Sequence, residues 1–87
     1  MDHSNEGHGV LSDKLRNLTK LGCALVMEAD QRIPGCVVDC LAAGATRAEV
    51  MEVLNMAVLT GEIRADKYAG IVRDAMNTFE GHGLRGG

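Results

Sequence analysis

The run Gly44-Ala45-Thr46-Arg47-Ala48-Glu49 constrains the fold more than any other part of the chain. Gly44 stands where a helix C-terminus needs a residue free to take a left-handed conformation. Thr46 and Glu49 have the T-x-x-E spacing of a capping box, in which hydroxyl and carboxylate each accept from the other residue's backbone N–H at a helix start. One helix therefore stops and another begins within a few residues. That commits the segment from Cys36 to Glu62 to two helices and a tight turn.

The flanking pattern supplies two more helices. Ser12 is an N-cap, and Leu15, Leu18, Leu21, Gly22 and Leu25 keep a 3.6-residue period, predicting a first helix to about Ala29 with Gly22 open to close helix approach. Pro34 fits only the first turn of a helix, so the second starts between Asp30 and Pro34 and runs to Ala43. Between Cys36 and Ala43 only Asp39 is charged, which predicts a helix enclosed on most sides. The third runs from Arg47 to about Leu59, with Val50, Val53, Leu54, Ala57 and Val58 on one face and Met51, Met56 and Leu59 beyond it. The fourth runs from Ala65 or Asp66 to Phe79 and lines up Tyr68, Ile71, Val72, Ala75, Met76 and Phe79, leaving Lys67, Arg73, Asp74 and Asn77 largely outside. Residues 1–10 and 81–87 read as flexible tails around a folded body at 11–80.

With 46% apolar residues but one Phe, one Tyr and no Trp, the core must be Leu, Val, Met, Ala and Cys. Such a core suits closely packed helices, hence an all-α, antiparallel bundle of about four helices. A single domain of this size buries only roughly 60 to 65% of the surface its unfolded chain exposes. The apolar surplus on the second and third helices is then best resolved by self-association, and a homo-oligomer is expected. The alternative is that the first and fourth helices cover both faces within one monomer.

Net charge −3 comes from 12 acidic and 9 basic residues scattered along the chain, which argues against nucleic acid or a membrane surface as a partner. The first nine residues, MDHSNEGHG, lack the layout of a signal peptide, and no apolar run reaches membrane-spanning length. Three cysteines, an odd number, fit reduced thiols and a cytoplasmic location rather than a secreted disulfide framework.

With the helices placed, CLAAGATRAEVMEVLNMAVLTGE resembles the carboxymuconolactone decarboxylase and alkylhydroperoxidase D family, whose central helix ends in a Gly-Ala-Thr turn followed by an apolar helix. The upstream LSDKLRNLTKLGCAL resembles that family's first helix, and the likeness runs from about Leu11 to Ala75. The family's peroxidase branch uses a Glu on the first helix, a Cys-x-x-Cys at the start of the central helix and a His four residues after the second Cys. Counted back from Gly44 without gaps, the His position falls on Cys36, the Cys positions on Arg32 and Ala29, and the Glu position on Asn17. The resemblance thus implies the family's fold and a remnant pocket lined by Asn17, Arg32 and Cys36.

The family's chemistry does not follow. Dithiol redox catalysis needs a low-pKa thiolate to attack, a second thiol to resolve the intermediate and a base for the proton. Arg32 and Ala29 perform neither sulfur task. The decarboxylase branch relies on the His and a nearby carboxylate, and Cys36 in the His position removes that reading too.

The thiols carry alternatives. Cys36 and Cys40 lie at i and i+4, with Cβ atoms ~5 to 6 Å apart, whereas an unstrained disulfide wants ~3.5 to 4.5 Å. With Cys23 from a neighbouring helix they would suit a soft metal such as Zn or Cu(I). A helix-start position and Arg32 one turn earlier would favour the Cys36 thiolate, making Cys36 with Cys40 or Cys23 the catalytic candidates. The plainer reading is small apolar filler.

Other groups are weaker still. Met1-Asp2-His3 has the amine-and-third-His layout that wraps Cu(II) or Ni(II), whereas His8 and His82 lack spaced partners. Glu28, Asp30 and Asp39 cluster around the central helix start as cap and dipole residues or, less simply, as a general acid and base. Met27, Met51 and Met56 read as core or interface filler. No cofactor is called for. Two function classes remain: a non-catalytic module for assembly or for a small-molecule ligand, and a divergent thiol peroxidase or oxidoreductase.

Overall fold

Each helix start and stop has an identifiable cause in the computed structural model, which describes residues 10–86 and side chains as far as residue 81. The first helix, α1 (Asp13–Val26), opens on Ser12, whose Oγ accepts from the Leu15 N–H at 3.0 Å. It stops short of the expected Ala29 because Glu28 turns left-handed, with φ 54. The Glu28 N–H donates to Leu25 O at 3.0 Å and the Ala29 N–H to Ala24 O at 2.9 Å, which is the Schellman closure. Sequence reading misses this stop because glycine normally occupies that position.

α2 (Ile33–Ala42) carries Pro34 in its first turn, with Arg32 at the N-cap position making no side-chain cap. It ends in the same closure, here with Gly44 at φ 101: Gly44 N–H donates to Leu41 O and Ala45 N–H to Cys40 O, both at 3.0 Å. α3 (Arg47–Gly61) begins with the capping box complete, Glu49 N–H to Thr46 Oγ1 at 3.1 Å and Thr46 N–H to Glu49 Oε1 at 2.9 Å. A second left-handed glutamate, Glu62 at φ 55, stops it. α4 (Ala65–Gly86) continues past Phe79 into the stretch read as a tail. Extending a formed helix adds one hydrogen bond per residue fixed, whereas starting one does not. The N-terminal tail, residues 1–9, lies outside the described residues.

Among the described residues there are four helices and no strand, in an all-α bundle. α1 packs on α2 and α3, and α2 also packs on α4. Leu21 and Leu25 from α1, Val37 from α2, Val50 from α3 and Val72 from α4 are fully enclosed. Burying each such side chain is worth about 1.5–3 kcal/mol before conformational entropy is set against it.

α1 and α3 lie side by side and point the same way. Lys14 Nζ meets Glu49 Oε2 at 3.2 Å near their starts, and Gly61 abuts Val26 near their ends. A Cβ on Gly61 would stand 3.1 Å from Val26 Cγ2, so the close approach uses a glycine. Gly22 faces Val53 at the middle of the pair, as its place on the α1 stripe suggests.

The apolar surplus is not where the sequence reading puts it. α2 is covered by α1 and α4, and its Ile33, Val37 and Cys40 are buried. Among the described side chains the large exposed apolar ones instead belong to α1, its two ends, and α3: Leu15, Val26, Met27, Met56 and Leu59, with Val10 and Leu11 just before α1. No helix among the described residues is long and apolar enough to cross a membrane.

Candidate functional site

The four positions at which the family register locates chemistry do not line either of the two principal grooves. Asn17 is half-buried on α1 and donates its side-chain amide to Asp13 O at 2.8 Å, an internal bond of its own helix. Ala29 is half-buried in the turn after α1, and Arg32 is exposed at the entrance to α2. Cys36 is half-buried one turn into α2.

The electrostatics of Cys36 run against a favoured thiolate. Burial raises its pKa, and Asp39 raises it further; Lys20 and Arg32 pull the other way and do not prevail. The helix start gives little help because the Cys36 N–H already donates to Arg32 O at 3.0 Å. Cys40 is buried in the core, and burial, with Cys36 and Asp39 adding to it, pushes its thiol up to about 11. At pH 7 such a thiol is ionised in about one molecule in ten thousand, which makes it a poor nucleophile.

Cys23 goes elsewhere. It is exposed and lines a groove between α1 and α3, so the expectation that it packs in the core is corrected. The alternative of a thiol-bound metal finds no assembled site: among the described residues no group of three His, Cys, Asp or Glu side chains is placed to hold a metal. Met1-Asp2-His3 and His8 lie outside the described residues, as does the side chain of His82.

The α1/α3 groove is the larger of the two, about 650 Å³, with Leu18, Gly22 and Ala57 among its lining and Leu15, Val26, Met27, Val53 and Met56 beside them. Three of its polar members are already engaged, while Glu52 and the exposed Cys23 also line it. Thr19 Oγ1 donates to Leu15 O at 2.9 Å and Thr60 Oγ1 to Met56 O at 2.7 Å. Glu49 is held ionised, its pKa lowered first by the Thr46 backbone N–H and then by Lys14. The second groove, about 580 Å³ between α2 and α4, is lined by Val38 and Ile71 with Asp39 and Asp74.

Glu28 and Asp30, read in the sequence as cap and dipole residues or a general acid and base, belong instead to a polar cluster with Tyr68 and Lys67. The Tyr68 hydroxyl donates to Asp30 Oδ1 at 2.5 Å and lies 3.5 Å from Glu28 Oε1, while Lys67 Nζ meets Asp30 Oδ2 at 2.8 Å. Lys67 also lies 5.1 Å from the centroid of the Tyr68 ring, a cation–π distance. Asp30 is lowered in pKa by Lys67 and then Tyr68; Lys67 is raised by Asp30; Tyr68 is raised by the bond it donates to Asp30. Asp30, Lys67 and Tyr68 are thereby held in their ordinary charge states, as suits a clamp between the α1–α2 turn and α4. The sequence showed Glu28 and Asp30 together and a lone Tyr beside a Lys at the start of α4, but not that the two pairs meet.

A model of the carboxymuconolactone decarboxylase family matches residues 2–73, a span that takes in α1, α2, α3 and the first part of α4. The chain belongs to that family. A comparison with curated proteins finds no match, and a comparison with solved structures finds none. Within the carboxymuconolactone decarboxylase family this member thus keeps the Gly-Ala-Thr turn and the helices around it. Counted back from Gly44 without gaps, the resemblance puts Ala29, Arg32 and Cys36 at the positions expected for the thiols and base.

Proposed function

We propose that this member of the family works as a non-catalytic, self-associating helical module. The observation that supports this reading best is the state of the α2 thiols. Cys36, at the family's His position, is held in its protonated form by burial and Asp39, and Cys40 behind it is more strongly held. A thiol in that state offers no nucleophile for peroxide and no base for proton abstraction. Neither Asn17 nor Arg32 makes up for it, since one bonds its own helix and the other is exposed.

The experiment is exposure of the full chain to a small excess of hydrogen peroxide, followed by peptide mass analysis of Cys36 and Cys40 with and without dithiol. Unmodified Cys36 and Cys40 over the time in which free cysteine is consumed is the expected result. Rapid sulfenic acid or disulfide formation at Cys36, reversed by dithiol, would instead establish the thiol peroxidase reading with Cys40 or Cys23 as resolving partner.

A further inference from the structure

We infer that the groove between α2 and α4 is a binding site for a small organic ammonium compound, a protonated amine carrying an apolar body. None of Asn17, Ala29, Arg32 and Cys36 lines this groove, so the site lies beside the family's register positions and not on them. It stands whether or not the chain self-associates.

Size and lining come first. The groove holds about 580 Å³, within the roughly 300–1,000 Å³ usual for small-molecule pockets. Val38, Ile71 and Ala75 give it an apolar floor. Gly35 leaves that floor open, since a Cβ there would meet no neighbouring atom within 4 Å. A protein partner finds no anchor here, because among the described side chains no large exposed apolar residue belongs to α2 or α4.

Charge then selects the sign of the ligand. Asp39 and Asp74 are the charged residues of the lining, and no Lys, Arg or His joins them. The ion pairs among the described residues use Asp13, Asp30, Glu49, Asp66 and Glu80, and leave both groove carboxylates without a base. Asp39 also stands in the last turn of α2, which has no basic residue to meet the negative end of the helix dipole. An ammonium group answers each of these negative charges. A metal ion does not fit, because two carboxylates over an apolar floor fall short of a ligand shell. Exposed carboxylates alone hold a cation weakly, so the floor supplies the remaining affinity through an apolar body.

Occupancy would reach the α2 thiols. Asp39 is one of the groups that raise the pKa of Cys36 and of Cys40. A cation seated against Asp39 offsets that contribution and makes Cys36 easier to ionise. Burial is the larger cause for Cys36 and is untouched, so the change is modest.

NMR titration of the full chain with 2-phenylethylamine tests this, with 2-phenylethanol as its neutral analogue. The amide shifts of Val38, Asp39, Ile71 and Asp74 should saturate together, with a Kd of about 1 mM or tighter for the amine. The alcohol should bind at least about tenfold more weakly. Asp39→Asn combined with Asp74→Asn should lose about tenfold in affinity, as should Gly35→Leu, which fills the floor without changing charge. Glu52→Gln, in the α1/α3 groove, should bind as the wild type does. Saturating amine should also speed alkylation of Cys36 about twofold at pH 8, and should not do so in Asp39→Asn. Absence of saturable shifts at about 10 mM amine, or shifts centred on α1 and α3, would overturn the assignment. So would an alcohol that binds as tightly as the amine, affinity unchanged in the Asp pair or in Gly35→Leu, or Cys36 alkylation unmoved by saturating amine. The comparison of amine with alcohol uses the wild type, so it decides even where a variant fails to fold. Peroxide reactivity of Cys36 without amine reports only on the non-catalytic reading, so the two fail separately.

Discussion

Glu62 closes α3 with φ 55, a conformation that costs an L-residue roughly 1–2 kcal/mol. Glycine at that position removes the strain but enlarges the unfolded ensemble, leaving a net gain of about 0.5–1 kcal/mol. Glu62→Gly should therefore raise the urea midpoint, and an unchanged or lowered midpoint would mean that the Glu62 side chain supplies something the backbone does not. Thr46→Ala acts oppositely, deleting the hydroxyl that accepts from the Glu49 N–H, and should cost about 1 kcal/mol in the same measurement. The Thr46 cap was legible because Thr, Glu and the preceding glycine carry their mechanism in their spacing. The two left-handed glutamates were not, since nothing in the residue type announces a positive φ. The same limit applies to Cys36: its place on α2 was readable, but its protonation depends on burial and on Asp39, set against Lys20 and Arg32.

Between elements, the Asp30–Lys67–Tyr68 cluster ties the turn after α1 to the first turns of α4. Asp30 has a folded pKa below its unfolded value, so its contribution to stability is present above about pH 4 and is lost as pH falls through the folded pKa. Lys67 and Tyr68 have folded values above their unfolded ones, so their contributions are complete below about pH 10 and fade as pH rises through the folded values. Urea midpoints between pH 3 and pH 7 should consequently fall less steeply in Asp30→Asn than in the wild type. They should still fall, because Glu49 and Asp66 are also depressed, by Thr46 with Lys14 and by Arg64 respectively. Identical acid limbs would show that the clamp contributes nothing. At this scale helix existence and order were readable from periodicity and caps. The pairing of Asp30 with Tyr68 was not, because it joins residues 38 positions apart.

For the molecule as a whole, binary patterning committed the chain to an all-α bundle, and the Gly44 turn set the register against the family. The surplus on α3 was legible, but assigning its companion to α2 was not correct. Periodicity shows which face of a helix is apolar, whereas tertiary packing decides which faces are covered, and here α4 covers α2. Core packing predicts that Leu25→Ala, at a site with no exposure, loses about 2–5 kcal/mol in chemical unfolding. A loss under about 1 kcal/mol would mean that α1 is not seated as described. The family's fold with its thiol chemistry set aside is tested most directly by the pH dependence of residue-resolved alkylation in the native chain. Cys36 and Cys40 should react slowly at pH 7, accelerate only well into the alkaline range, and react fast at once in denaturant. Fast native alkylation of Cys36 that is already at its plateau near pH 7 would contradict it.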